Sequence, residues 1–254
     1  MPDSATTIES VPSLDRPQAA SLAAAENERF VDLVRSLDAD DWTKQTDCPA
    51  WDVRAMVAHV LGAMESIVSP RELVHQLRAG SRAAGGRPLI DGMTEVQVAE
   101  RADLSTSRLV ERLVATAPRA ARARRRLPAP LRRLPFKQDV AGVTETWALG
   151  YLYDIIYTRD TWMHRVDIAR ATGRPPGALT PDHDGRIVAD VVAEWARRHG
   201  RPFRLHLHGP AGGVFIGGDG DGDGEEITLD AVEFCRILSG RGEGTGLLTQ
   251  PVPF

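Results

Sequence analysis

Two acidic residues and a histidine occupy one side of a single predicted helix. Asp160, His164 and Asp167 are spaced four and three residues apart. Such positions are neighbours on a helix surface, with about 5–6 Å between their Cβ atoms. Tyr153 and Tyr157 fall on the same side in the two preceding turns. The helix therefore carries a polar stripe, and a buried helix must satisfy such groups with each other, with water or with a metal.

His59 lies in a second predicted helix, far upstream in the chain. Asp52 is the expected N-cap of that helix. Ala55 and Ala63, one turn to either side of His59, leave space for a group to approach the imidazole. Two imidazoles and a carboxylate from two helices commonly hold a divalent metal and leave one coordination position open. An Asp–His pair four residues apart is also a plain hydrogen-bonded pair, so spacing alone leaves both interpretations open.

The composition is that of an ordinary globular protein. The chain has 254 residues, 42% of them hydrophobic and 26% charged, with a formal net charge of -4. This length allows two domains, and the charge gives no general attraction to nucleic acid or to an anionic membrane. No segment approaches the roughly 18 apolar residues of a membrane span, and the N-terminus lacks the features of a signal peptide. We therefore expect a cytoplasmic protein with Cys48 and Cys235 as reduced thiols. Its excess of arginine over lysine suggests a high-GC bacterial genome.

The segment GRPPGALTP (173–181) is the clearest boundary in the chain. Before it the periodicity is helical, including one long helix predicted over about 140–172. Beyond it the pattern predicts a helix at about 182–199 and short strands at 203–208, 213–217 and 226–229. We therefore expect an α+β protein with a disordered tail (1–19), a helical bundle (20–172), a linker (173–181) and a small α/β domain (182–254).

Other chemically suggestive features have simpler explanations. The run GGDGDGDGEE (217–226) resembles a calcium loop, but predicted strands flank it, so we expect a hairpin turn. The arginine cluster at 118–133 lacks interleaved aromatic residues and is expected to be a solvated helix end and linker, with no role assigned. Cys48 has no obvious histidine partner and is interpreted as structural.

Several motifs resemble those of one family. WTKQTDCPAWDVRAMVAHVLG (42–62) is similar to the opening motif of the mycothiol-dependent maleylpyruvate isomerase family, part of the DinB-like superfamily. RDTWMHRVDIARATGRP (159–175) resembles its second motif, and AVEFCRILSGR (231–241) with the terminal PVPF resembles the end of its C-terminal domain. The motifs follow the family order, although residues 70–135 carry none. The resemblance implies a DinB-like four-helix bundle followed by a small α/β domain of the sterol-carrier-like type.

The resemblance also implies a metal site. The family holds a divalent metal, typically zinc, through a histidine of the second helix and a Glu-x-x-x-His pair of the fourth. These positions fall here on His59, Asp160 and His164. Asp160 is one methylene shorter than the glutamate of the isomerases, so ligation requires the helices to approach more closely or the metal to shift. Asp167 is expected either to accept a hydrogen bond from a ligand histidine or to pair with an arginine.

The activity implied by the resemblance uses mycothiol as the thiol cosubstrate. The metal-bound thiolate adds to a conjugated double bond, the resulting single bond rotates, and the thiol is expelled. An arginine of the C-terminal domain is expected to hold an acidic substrate, and the SGR motif assigns this catalytic role to Arg241. Tyr153 and Tyr157 are candidates for lining the cofactor pocket, or else two tyrosines satisfied within the core.

Two classes of function follow. The first is a metal-dependent, thiol-using enzyme that acts on a small electrophile by isomerisation or S-transfer, as a monomer or homodimer, without nucleic acid or membrane. The alternative is a non-enzymatic DinB-like scaffold that binds a small ligand or a partner protein. A scaffold has no need of His59, Asp160 and His164 together, so His59→Ala discriminates between them.

Overall fold

The computed structural model describes residues 5–218 and 224–254. In this part of the chain the helices are α1 (Arg16–Arg35), α2 (Val53–Val68), α3 (Pro70–Ala84), α4 (Leu89–Ala99), α5 (Thr106–Arg126), α6 (Ala129–Arg132), α7 (Leu149–Tyr151), α8 (Tyr157–Thr172), α9 (Arg186–His199) and α10 (Ala231–Leu238). The strands are β1 (Thr6–Thr7), β2 (Pro135–Val140), β3 (Val143–Ala148), β4 (Phe203–His208), β5 (Gly213–Gly217) and β6 (Glu225–Asp230).

The chain forms two compact units. One is Arg16–Gly177, and the other joins the described residues up to Asp15 with Ala178–Phe254. The predicted α+β organisation, a helical bundle followed by a small α/β unit, is confirmed. The structure differs from the predicted disordered tail (1–19), because β1 pairs with β5 in parallel and α1 begins at Arg16. A short strand can join a sheet through backbone hydrogen bonds alone, and these leave little trace in a hydrophobic pattern.

Four long helices, α1, α2, α5 and α8, form the bundle. Helices α1 and α2 each pack against both α5 and α8. One apolar core contains a fully buried residue from each helix: Phe30, Leu61, Leu109 and Ile168. Full burial of such a side chain contributes about 1.5–3 kcal/mol, so apolar packing along one stripe of each helix holds the bundle together. Helices α3 and α4 pack against each other and against α2.

Local capping sets where the helices begin. The Asp52 side chain accepts a hydrogen bond from the backbone N–H of Ala55 at 2.7 Å, as the sequence predicted for the N-cap of α2. Ser69 caps α3 in the same way through the N–H of Glu72 at 3.3 Å. Because the cap fixes the first turn of α2, it also fixes the face on which His59 lies, and that face is buried.

The long helix predicted over 140–172 is wrong in its first part. Strands β2 and β3 pair there as an antiparallel hairpin. Ala141 (φ 50°) and Gly142 (φ 83°) form its two-residue turn, and the Asp139 carboxylate accepts the Gly142 N–H at 2.8 Å. Positive φ at both turn positions matches the twist of a hairpin, and the β-branched residues of β3 favour a strand. A π-helical turn, Leu152–Ile156, then leads into α8.

The second unit contains a sheet with the strand order β1-β5-β4-β6 in the described part of the chain. Strand β4 pairs with β5 in antiparallel and with β6 in parallel. Trp195 of α9 packs edge-on against Phe203 of β4 and Phe234 of α10, which joins helices and sheet in one core. The predicted strands are confirmed. The acidic residues at 219–223, where the calcium-like loop was considered, lie outside the described residues.

Among the helices described, none combines the length and the apolar character that a membrane span requires.

Candidate metal centre

Helices α2 and α8 bring His59, Asp160 and His164 together inside the bundle. Nε2 of His59 lies 3.5 Å from Oδ2 of Asp160, and Nε2 of His164 lies 3.2 Å from Oδ1. Both imidazoles are buried, whereas the Asp160 side chain keeps 21% of its surface exposed. The potential ligand atoms of the three residues all lie within 4.8 Å of one another. Residues selected by spacing on separate helices therefore form one cluster.

The charge of Asp160 follows from its neighbours. Burial acts to raise the pKa of this carboxyl group, but the charges and hydrogen bonds of His164 and His59 outweigh that effect. The pKa of Asp160 therefore lies well below its usual range. The side chain is a carboxylate at neutral pH, which is the form that ligates a metal.

The separations within the cluster fit a small tetrahedral ion. At metal–ligand distances of about 2.0–2.2 Å, two ligand atoms of a tetrahedral zinc lie about 3.3–3.6 Å apart. Nε2 of His59 lies 3.5 Å from Oδ2 and Nε2 of His164 lies 3.2 Å from Oδ1, so each imidazole is about this far from one of the two carboxylate oxygens. The shorter side chain at this position therefore does not hold the carboxylate away from the histidines. Nitrogen and oxygen donors of this kind suit zinc.

A glutamine orients the first imidazole. Nδ1 of His59 lies 2.8 Å from Oε1 of Gln97, and the Gln97 amide donates to Gln76 at 2.8 Å. Gln76 in turn donates to the backbone carbonyl of Gly62 at 2.9 Å, next to His59 on α2. Because an amide oxygen only accepts, Nδ1 of His59 carries a proton, and Nε2 is the nitrogen directed at Asp160. The two glutamines thus link α3 and α4 to the candidate ligand.

Gly62 makes this link sterically possible. A Cβ at that position would lie 2.7 Å from Cβ of Gln97, closer than side chains pack. A glycine three residues after His59 therefore lets α4 approach α2 closely enough for Gln97 to reach the imidazole. Neither glutamine was predicted from the sequence. The available signal was a pair of polar residues on the buried sides of two amphipathic helices, in the segment that carries no recognised motif.

Asp167 orients the second imidazole. Its Oδ2 lies 3.1 Å from Nδ1 of His164, and the carboxylate is completely inaccessible to solvent. Of the two expectations for Asp167, the structure supports the histidine contact. Sγ of Cys48 lies 4.0 Å from the same oxygen, so Cys48, interpreted as structural from the sequence, borders the site. Cys48, His164 and Asp167 form a second group with metal-ligand potential.

An indole shields the outer side of the cluster. The ring of Trp51 stacks on His59, with 4.8 Å between centroids and 30° between planes, and lies 5.8 Å from the ring of His164. Trp51 follows the Cys48-Pro49 turn directly before α2. The indole ring reduces the exposure of both imidazoles to water. Because it is apolar, it also lowers the local dielectric around the candidate ligands.

The two tyrosines occupy different surroundings. Tyr153 lies in the π-helical turn and is buried, and its ring meets that of Tyr157 edge-on at 5.5 Å. Tyr157 lines a small cavity together with Asp160. Burial raises the pKa of both hydroxyls, so they remain protonated donors. Only Tyr157 is thus placed beside a candidate ligand, and a cofactor-binding role for either tyrosine stays a prediction.

Arg241 belongs to the other unit and follows α10 directly. Its backbone N–H donates to the carbonyl of Arg236 at 2.8 Å, and its own carbonyl accepts from the Arg236 guanidinium at 3.1 Å. The catalytic role expected for Arg241 stays a prediction.

Fold and site together define a helical-bundle protein with a candidate metal centre of two histidines and one carboxylate. The family model of the mycothiol maleylpyruvate isomerase N-terminal domain matches residues 23–169, more than half of the chain. The chain belongs to this family, as its motifs predicted.

Solved structures show the same fold. A crystal structure of the mycothiol-dependent maleylpyruvate isomerase aligns with a TM-score of 0.57 and 17% identity, covering 93% of this chain and 92% of that chain. The structure of a histidine-to-alanine mutant of the isomerase aligns with the same score and coverage at 16% identity. No curated protein sequence matches the chain.

Proposed function

We propose that this protein is a metal-dependent enzyme that uses a low-molecular-weight thiol, mycothiol, to isomerise a small electrophilic substrate from cis to trans. The supporting observation is the cluster of His59, Asp160 and His164, in which each imidazole has a second partner and directs Nε2 to the carboxylate. A site that served only structural stability would not require a hydrogen bond that fixes the tautomer of each imidazole.

The ligands that we propose for the metal are His59, Asp160 and His164, with zinc as the expected ion. Three protein ligands leave one position of a tetrahedral ion open, and a bound divalent metal deprotonates a thiol at neutral pH. Gln97 and Asp167 hold the imidazoles in the ligating tautomer. Trp51 covers their outer side and limits the access of water.

Residues of the bundle also act on the substrate in this proposal. Tyr157 remains protonated because burial raises the pKa of its hydroxyl, so it donates a hydrogen bond to an oxygen of the substrate or thiol beside Asp160. Such a donor stabilises negative charge that develops when a thiol adds to a conjugated carbonyl system. Arg241 is proposed to bind an acidic group of the substrate. If the thiol stays bonded to the substrate after the addition instead of being released, the reaction is S-transfer.

Metal content is the first test. Untagged protein, reconstituted with zinc and dialysed, is expected to retain close to one equivalent by mass spectrometry. His59→Ala and His164→Ala should each lose the ion. His75→Ala is the matched control, because His75 is an exposed histidine paired with Glu100 at 2.6 Å and should change nothing. Retention of zinc in both ligand variants would overturn the proposed centre.

The thiol requirement is the second test. The zinc-loaded protein is assayed with maleylpyruvate in the presence and absence of mycothiol, and isomerisation is expected only with both metal and thiol. Formation of a stable thioether product instead of the trans isomer would assign S-transfer. Full metal occupancy with neither reaction would favour a non-enzymatic scaffold.

A further inference from the structure

One arginine of the cluster at 118–133 differs from its neighbours. Arg124 projects into the helical bundle and is 3% exposed, whereas Arg122 and Arg125 on the same helix are exposed. The expectation of a solvated cluster therefore fails for this residue. Its position on α5 follows the face that also carries Leu113, Ala117 and Ala120, at intervals of three and four residues. Apart from Thr116, the other buried residues of α5 are apolar.

The Arg124 guanidinium is poorly satisfied by the protein. Among the described residues no group accepts a hydrogen bond from its Nε or Nη2, and both atoms are buried. The Tyr157 ring lies 5.6 Å from the guanidinium carbon, a cation–π distance. Burial lowers the pKa of Arg124 to about 10, so the group remains a cation at neutral pH. A buried cation with unused donors is costly for stability, and such a group in a protein interior calls for a ligand.

The Arg124 side chain lies beside the candidate metal centre. Arg124, Tyr157 and Asp160 line one small cavity, to which Asn27 and Thr161 add polar groups. The cavity is small, with room for about one water molecule before a ligand enters. Asp160 also faces the cavity, and its negative charge helps to keep Arg124 in its charged form.

We propose that Arg124 binds a carboxylate of the small molecule that reacts at the bundle's metal centre. This inference rests on the proposed function and adds a residue that selects its substrate. Nε and Nη2 lie on one edge of the guanidinium and match the two oxygens of a carboxylate as a bidentate pair. A planar carboxylate group requires less room than a tetrahedral phosphate group. Arg124 thereby supplies a specificity determinant within the bundle, separate from Arg241.

Maleate is the probe for this inference. Calorimetric titration of maleate into the full-length, zinc-loaded protein is expected to show binding by wild type and by Arg122→Met alike. Arg122→Met is the matched control, since it removes an exposed arginine two positions away. Arg124→Met should bind maleate at least about tenfold more weakly, as expected for the loss of a charge-assisted hydrogen-bond pair. Dimethyl maleate, which has no charge, should not distinguish wild type from Arg124→Met.

A structural role for Arg124 predicts different results. If the guanidinium only stabilised the bundle, Arg124→Met would melt at a lower temperature, whereas removal of an unpaired buried cation should leave the melting temperature equal or higher. Arg124→Lys is the second variant, because it keeps the charge without the bidentate edge and should bind maleate with intermediate affinity.

Three outcomes would overturn the carboxylate assignment: equal maleate affinity in wild type and Arg124→Met, no maleate binding by wild type, or tighter binding of inorganic phosphate than of maleate. These outcomes are distinguishable from failure of the proposed function, because maleate binding is measured without a thiol and zinc content is measured separately. Loss of maleate binding in Arg124→Met with unchanged zinc content would support the assignment even if no isomerisation were found.

Discussion

Nδ1 of His59 lies 2.8 Å from Oε1 of Gln97, and this contact links a candidate metal ligand to a helix outside the four-helix bundle. The amide oxygen fixes a proton on Nδ1, which leaves Nε2 as the nitrogen that can ligate a metal beside Asp160. The stability of the centre therefore depends on a residue that is not itself a ligand.

Gln97→Leu is expected to weaken zinc binding about 10–100-fold, the usual effect of removing the partner of a ligand histidine. Competition with a chromogenic chelator measures the affinity. Gln97→Glu is the matched variant, because its carboxylate still accepts from Nδ1 and should retain most of the affinity. If Gln97→Leu binds zinc as tightly as wild type, the contact has no role in orienting the ligand.

Asp160→Glu tests the departure from the glutamate of the family motif. The longer side chain must fit between imidazoles that already lie 3.2 Å and 3.5 Å from the shorter carboxylate. We expect zinc to remain bound, with an affinity within roughly tenfold of wild type, because the charge and donor type are unchanged. Asp160→Asn, which removes the charge, should lose zinc by the same chelator assay. Equal affinities in the two variants would contradict ligation by the carboxylate.

Cys48→Ser distinguishes the two groups with metal-ligand potential that share His164. Cys48 belongs only to the group with Asp167, whereas His59 belongs only to the group with Asp160. Cys48→Ser is therefore expected to keep a full equivalent of zinc, and His59→Ala to lose it. Mass spectrometry of the native protein checks both. The opposite pattern would move the metal centre to Cys48, His164 and Asp167.

Asp41 anchors the segment before α2 to the end of α8. Its carboxylate accepts from Lys44 at 2.8 Å, from the backbone N–H of Asp38 at 3.0 Å and from Arg174 at 2.6 Å. These hydrogen bonds, with that of Lys44 the strongest, hold the pKa of Asp41 well below its usual range. A carboxyl group whose pKa is lower in the folded state stabilises the protein above its unfolded pKa, near 3.9, and loses this contribution as the pH falls.

Asp41→Asn is accordingly expected to lower the free energy of unfolding at pH 7 by about 1–3 kcal/mol. The difference from wild type should shrink below about pH 4, where the unfolded chain binds a proton at this position. Urea denaturation across this pH range provides the measurement. Asp40→Asn, an exposed neighbour, is the control and should change stability by less than about 0.5 kcal/mol. A pH-independent difference for Asp41→Asn would show that the charge is not responsible.

Features that depend only on residues close together in the chain could be predicted from the sequence. Asp52 capped its helix as predicted, and the i, i+4 spacing of Asp160 and His164 placed both on one buried side of α8. Both depend on helix geometry alone. The hairpin at 135–148 was missed because the positive φ angles of Ala141 and Gly142, which form its turn, leave no sign in the hydrophobic periodicity of the sequence.

Patterns along the chain were enough to predict the two-part α+β organisation, the family and the residues of the candidate centre. The distant side chains that complete the centre follow from the packing of the helices. Gln97 reaches His59 because Gly62 admits a neighbouring helix, and Arg124 enters the bundle although its arginine neighbours on the same helix are exposed. Spacing along a helix limits which face a residue occupies, but packing between helices determines what that face meets.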